Sequence, residues 1–254
     1  MIRLKNAFQK TLHSGNCTFT VQKGEETNGG TASIDLKRKK YNMRLEFRER
    51  IYFVYENTTF SVDKNTETVS GFEDFSETIA FLCNLCNGKV DVESFLTQLR
   101  SRQVFGSMID YFFDAEKLPD ALAEYIRKLI ETEYLEDYFG YRKIVEKHDV
   151  VYSFSPALYD AVSDFAKTLR PAFWNDEKYM LFCENLIEKR KPELESRKIK
   201  IDFKIQSGYI IGVTIQNDGE VTTELAFSDF GKTKTDFKQA EAYYRKEKDQ
   251  RGWE

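Results

Sequence analysis

Residues 197–230 constrain the fold most. Ile199, Ile201, Phe203 and Ile205 alternate with Lys200, Asp202 and Lys204. Tyr209, Ile211, Val213 and Ile215 follow Ser207-Gly208, and Val221, Thr223, Leu225 and Phe227 follow Asn217-Asp218-Gly219. A period of two matches the pleat of a strand, and glycine at both breaks supplies the positive φ that tight hairpin turns require. The stretch predicts a three-stranded antiparallel meander with one buried face, onto which the rest of the chain is built.

A second strand group comes early. Met1 to Leu12 carries Ile2, Leu4, Ala7, Phe8, Thr11 and Leu12 at helical spacing and stops at Ser14-Gly15. Cys17, Phe19 and Val21 then alternate with threonines. A polar turn is expected between Lys23 and Gly30, with Asn28-Gly29 as its tip. Ala32, Ile34 and Leu36 form a second alternating set, and Tyr41, Met43, Leu45 and Phe47 a third. Ile51 to Tyr55 is apolar on both faces, which predicts a central or covered strand. Phe60 and Val62 begin a fifth strand after Glu56-Asn57-Thr58, and Thr66 to Ser70 supplies a sixth.

At Gly71 the pattern changes, and helical spacing runs from Phe72 to Pro192. Ser76, Asp91, Pro119, Ser155-Pro156 and Asn175 read as helix starts, Gly140 as a stop, and Arg170-Pro171 and Pro192 as ends. Val150 to Phe154 reads as a lone strand. After Gly231 the chain is highly charged. Phe237, Ala240, Tyr243 and Tyr244 leave a weak helical trace there, expected as a short docked helix or a partly disordered tail.

Neither strand group closes on its own, and open edges are costly. The expected fold is therefore α+β: a curved antiparallel β-meander split in sequence, with a long helical insertion covering one face. Residues 1–70 supply the first helix and meander, 71–196 the insertion, 197–231 the completing meander and 232–254 a charged tail, all in one composite domain.

The charge balance narrows the function. Lys and Arg total 38 against 42 Asp and Glu, a net charge of −4, so no nucleic-acid partner is expected, since phosphate neutralisation needs an excess of cations. Lys37-Arg38-Lys39-Lys40 reads as a solvated hairpin tip. No apolar run reaches about 18 residues, so no spanning helix is expected. No signal peptide is visible, because the chain opens directly into a helix.

No chemistry-bearing constellation stands out. Cys17, Cys83, Cys86 and Cys183 are few for a disulfide framework. The Cys83/Cys86 pair falls in the last turns of an apolar helix rather than at an N-terminus, which favours small buried residues over a disulfide, redox or metal role. His13 and His148 have no second ligand at metal spacing. Gly29-Gly30 lacks a phosphate-loop context, and Asp114, Glu116 and Asp120 lack the spacing of a calcium loop. Asn16-Cys17-Thr18 and Asn57-Thr58-Thr59 match the glycosylation pattern, which short triplets do readily. The expectation is no catalytic residue, no metal and no cofactor.

The lead that remains is aromatic. The chain has 21 Phe and 14 Tyr. Tyr134, Tyr138, Phe139 and Tyr141, with Phe105, Tyr111, Phe112 and Phe113, exceed what one helix stripe needs. They read either as helix-to-sheet core or as the lining of an apolar cavity between sheet and helices. The candidate ligand-binding residues are Phe19, Leu45, Phe53, Tyr134, Tyr138, Phe139, Phe203, Ile211 and Leu225. The partners this allows are a lipid or other apolar ligand, or a protein docked on the helical block.

Two segments carry a family resemblance. One is the first helix with its Asn-Cys-Thr-Phe-Thr-Val strand and the hairpins of VYENTTFSVDKNTETV; the other is IDFKIQSGYIIGVTIQNDGEVTTELAFSDFG, ending at Gly231. Together they resemble the bacterial lipoprotein-carrier superfamily of LolA and the mycobacterial LppX/LprG proteins. The resemblance implies a strongly curved antiparallel sheet, lined with helices, that holds acyl chains or contacts a partner. It also implies a non-enzymatic, extracytoplasmic protein, tethered to a membrane only through a removed N-terminal anchor. A chain complete as given would instead be cytoplasmic.

Overall fold

The computed structural model describes residues 2–35, 38, 40–76, 92–101, 103–129, 131–146 and 149–251. The chain opens with α1 (Ile2–His13), followed by β1 (Asn16–Lys23), β2 (Glu26–Asp35), β3 (Lys40–Phe47), β4 (Arg50–Tyr55), β5 (Thr58–Asp63) and β6 (Val69–Asp74). Next come α2 (Val92–Ser101), α3 (Gln103–Phe112), α4 (Leu118–Lys128) and α5 (Thr132–Phe139), then the hairpin β7 (Arg142–Glu146) and β8 (Asp149–Phe154). After it lie α6 (Leu158–Leu169), α7 (Asp176–Leu186) and the short α8 (Lys191–Ser196). The chain finishes with β9 (Ile199–Gln206), β10 (Tyr209–Asn217), β11 (Glu220–Ser228) and α9 (Lys238–Arg251).

The strands form one 11-stranded antiparallel sheet, in the order β6-β5-β4-β3-β2-β1-β11-β10-β9-β8-β7, which does not close on itself. The early and late strand groups meet at β1 and β11, where Thr18 faces Ser228, Phe19 faces Phe227 and Val21 faces Leu225. The α+β class and the split meander expected from the alternation are therefore what the molecule adopts. The tight turns follow the residue chemistry. Ser207-Gly208, Asp218-Gly219 and Glu56-Asn57 each place two consecutive residues at positive φ, the backbone of a two-residue hairpin turn whose twist matches the flanking strands.

The residues divide into two compact units. Ile2–Asn87, Ile205–Val213 and Thr223–Glu254 form the first, which holds β1 to β6, α1 and α9. Gly88–Lys204 and Thr214–Thr222 form the second, which holds α2 to α8 with β7 and β8.

The core of the helical unit gathers Leu96, Ile109, Phe113, Leu118, Leu169, Phe173, Phe182 and Ile187. Its rings meet edge to face: Phe112 and Phe182 lie 5.3 Å apart at 84°, the geometry the ring quadrupoles favour. Asn175 caps α7 as expected, its side chain accepting from the Lys178 N–H at 2.9 Å. Gly140 ends α5 in the left-handed conformation at φ 55.

Several sequence expectations need correction. The first hairpin does not turn at Asn28-Gly29: Lys23 pairs with Glu26, and Gly29 and Gly30 sit inside β2 opposite Thr20 and Phe19. Strand β6 does not stop at Ser70. It runs to Asp74 through Gly71 at φ +68, and its register shifts between Thr59 and Ser61, so a bulge carries it past the glycine. Val150 to Phe154 is not a lone strand, since Arg142–Glu146 pairs with it. Five residues rich in charge hid that partner. Pro192 lies in the first turn of α8 rather than ending a helix, a position where its missing N–H costs nothing. Leu36, Cys83, Cys86, Asp91 and His148 lie outside the described residues.

Candidate apolar cavity beneath the first helix

The sheet-dominated unit contains a cavity of about 410 Å³ between α1 and strands β1 to β3, β10 and β11. Its floor is a set of cross-strand rows. Phe19 stands between Phe227 and Gly30, Leu45 lies beyond Gly30, and Cys17, Ala32 and Met43 form the neighbouring row. Alternation puts all of them on one face. Gly30 is required here. A Cβ on it would fall 2.7 Å from Phe19 Cζ and 2.3 Å from the Arg44 carbonyl oxygen, so the Phe19 ring can lie across β2 only because that side chain is missing.

Helix α1 roofs the cavity with Phe8, Thr11 and Leu12, while Leu4 and Ala7 are buried. Its C-terminal half is tied down by polar bonds. Thr11 Oγ1 accepts from the Ile210 N–H at 3.0 Å. Lys10 Nζ donates to the Ser207 carbonyl at 2.8 Å and lies 4.3 Å above the Tyr209 ring, which stacks on Phe230 at 4.5 Å. The Ile34 N–H donates to the Gly15 carbonyl at 2.8 Å.

Among the described residues, no charged side chain lines the cavity. Its polar lining is largely spent on structure: Ser14 Oγ donates to the Thr11 carbonyl at 2.6 Å, and Asn16 Oδ1 accepts from the Thr233 N–H at 3.0 Å. Two weak acids remain, and the surroundings keep both neutral. Burial raises the pKa of the Cys17 thiol. Burial first, and the nearby Cys17 second, push the Tyr41 phenol up to about 12. The wall is thus apolar and uncharged at any ordinary pH.

Of the residues singled out from sequence, Phe19, Leu45 and Leu225 line this cavity. Ile211 does not. Ile210 and Val213 take the β10 wall, and the Ile210 N–H donates to Thr11 Oγ1 of the helix. Phe53 is buried in a separate cluster with Ile51, Phe60, Val62, Phe72 and Ala240. Tyr134, Tyr138 and Phe139 belong to α5 in the helical unit. Tyr134 stacks on Tyr138 at 4.7 Å, lies 6.2 Å from Phe139 and donates its hydroxyl to Asp164 at 2.7 Å. Phe203 meets Phe154 edge-on at 5.9 Å, in the same unit. Sequence reasoning missed the roof, Phe8 to Leu12, and the wall residues Met43 and Phe227. Alternation alone marked the latter two as sharing a face with Leu45 and Leu225.

No family model matches this chain, and no curated protein matches it. Solved structures that resemble it include two of MucB. The MucA/MucB complex of Pseudomonas aeruginosa does so at 9% identity over 89% of this chain and 54% of that one, with a TM-score of 0.36. MucB in complex with MucA(peri) does so at 10% identity over 89% and 53%, also with a TM-score of 0.36. This chain spans about half the length of the solved chains it matches.

Proposed function

We propose that this chain is a non-enzymatic, extracytoplasmic binding protein that takes an acyl chain or similar apolar ligand under α1. The observation that carries the reading is the uncharged cavity of about 410 Å³, a size within the roughly 300–1,000 Å³ of small-ligand pockets. Transfer of apolar surface from water supplies the affinity, and the neutral Cys17 and Tyr41 are the weakly polar groups at hand for a headgroup oxygen. No nucleic acid or cofactor enters this reading, and the membrane enters only through an anchor.

The test is uptake of a dansyl-labelled fatty acid by delipidated full-length protein, with mass spectrometry of the lipid extracted before delipidation. Saturable fluorescence that Ala32→Phe abolishes, by filling the space, supports the reading. A protein that never carries lipid and never saturates with the probe overturns it.

A second reading, a module whose helical unit docks a protein partner, draws on a different observation. Tyr111, Trp174 and Met180 are large apolar side chains exposed on that unit. A blue shift of Trp174 fluorescence on addition of the partner, lost in Met180→Glu, is the expected result. An unchanged spectrum at saturating partner removes it.

A further inference from the structure

The sheet is open, so it has two edge strands, β6 and β7. An edge presents a row of unpaired N–H and C=O groups, and folded proteins usually blunt it. Strand β6 is blunted: Gly71 at φ +68 and the register shift beside it break the row, and α9 packs on Phe72 through Tyr244. Among the described residues, strand β7 has neither a bulge nor a packed helix. What guards it is its five-residue length and the charges of Arg142 and Lys143, which deter a cationic edge but not an acidic one. The strand is regular over its whole length against β8, from Arg142↔Ser153 to Glu146↔Asp149.

Its side chains are as open as its backbone. Ile144 is 42% exposed and Val145 64%. Consecutive strand residues point to opposite faces, so an aliphatic side chain stands uncovered on each face of this strand. Arg142 and Lys143 are exposed as well, and neither makes an ion pair among the described residues. A regular ladder with exposed aliphatic side chains can take an added strand, and the two cations restrict that strand to one carrying acidic residues.

The register tells which backbone groups are free. The pair Glu146↔Asp149 closes the hairpin, and a closing pair exchanges the hydrogen bonds of the turn. Antiparallel pairs alternate, so Ile144 and Arg142 bond to β8, while the N–H and C=O of Lys143 and Val145 point out of the sheet. A strand added antiparallel meets Val145 and Ile144 first, then Lys143 and Arg142. Complementarity therefore calls for aliphatic residues followed by acidic ones.

We propose that the free edge of β7 receives an extended aliphatic-then-acidic peptide segment of a protein partner as an additional antiparallel strand. Backbone bonds to Lys143 and Val145 supply the docking, and Ile144, Val145, Lys143 and Arg142 select the sequence. The site is separate from the cavity under α1 and does not rest on the lipid-binding reading.

The probe is a fluorescein-labelled peptide of sequence TVIEDT, titrated with full-length protein and followed by anisotropy. Saturable binding is expected, weakened roughly tenfold or more by Val145→Pro, which removes an outward N–H and leaves the β8 ladder intact. A similar loss is expected for Lys143→Glu, which does not alter the backbone and so reads the same site should the proline variant fail to fold. The scrambled peptide and its lysine counterpart, TVIKKT, should bind at least tenfold more weakly. Three results overturn the proposal: no saturation with TVIEDT, equal affinity for TVIKKT, or affinity untouched in both variants. Concentration-dependent self-association that excludes the peptide and is lost in Val145→Pro also overturns it, in favour of pairing between two copies.

Discussion

The sheet-dominated unit is solid at β4 to β6 and hollow at β1 to β3, although an amphipathic helix faces both regions. Against β4 to β6, helix α9 presents Ala240, which is 0% exposed. A methyl at the contact lets the helix backbone approach closely, and Tyr243 and Tyr244 fill the flanks, Tyr244 lying 5.4 Å from Tyr55 and 5.7 Å from Phe72. On the side of β1 to β3, α1 also buries an alanine, Ala7, but small residues lie in the sheet as well. Ala32 and Gly30 sit among Phe19, Met43 and Leu45, and α1 brings Phe8, Thr11 and Leu12 from above. Small residues on the helix close a gap; small residues in the sheet leave one open. The aromatic surplus does not distinguish the two regions, because aromatics line both.

Substitutions can break that contrast. The largest effect is expected for Phe53→Ala on the solid side. Phe53 is 1% exposed and packs on Phe60 at 5.3 Å, so truncation should cost about 3–5 kcal/mol in chemical denaturation. A loss near 1 kcal/mol would mean that this region is loosely packed too.

The next effect is a pH dependence on the hollow side. Tyr41 is raised to about 12 in the folded protein against about 10 unfolded. Because the folded state holds the proton more tightly, the contribution is fully present below pH ~10 and is lost as pH rises towards 12, to the extent of about 3 kcal/mol. Urea midpoints measured from pH 9 to 12 should fall, and Tyr41→Phe should flatten that part of the curve. An unaltered slope in the variant would place the titration elsewhere.

Leu45→Ala should cost about 1–2 kcal/mol, less than Phe53→Ala, because it enlarges a space that already exists. A cost equal to that of Phe53→Ala would count against a void beneath α1. The smallest change in stability is expected for Ala32→Leu, within about 1 kcal/mol of wild type, since the added methyl groups enter free volume. The same variant should lose most of its uptake of the dansyl-labelled fatty acid, which sharpens the contrast by separating stability from binding.

Much of this architecture was legible in particular residues. Phe203 and Ile205, Tyr209 and Val213, and Leu225 and Phe227 announced the late strands, and the paired positive-φ residues sat where glycine and asparagine marked the turns. Phe237, Ala240, Tyr243 and Tyr244 foreshadowed a helix that the fold docks on Phe72. The hairpin β7–β8 was not legible, because Arg142-Lys143-Ile144-Val145-Glu146 shows no alternation; an edge strand uncovered on both faces has no face to mark. The β2 glycines misled for a related reason. Their composition is that of a turn, and only the Phe19 ring lying across Gly30 explains their place inside a strand.

The cavity was half visible. Phe19, Leu45 and Leu225 could be placed on one face by counting, since side-chain direction along a strand has period two and needs no long-range knowledge. That Phe53, an equally apolar neighbour, belongs to a filled core could not be counted. It depends on which helix arrives over which strands and how near its backbone comes. Local alternation and turn chemistry thus determined the strands, their faces and the split sheet. Tertiary packing alone decided where that sheet is filled, where it is hollow and which edge is left bare, because those outcomes depend on distances between segments far apart in the chain.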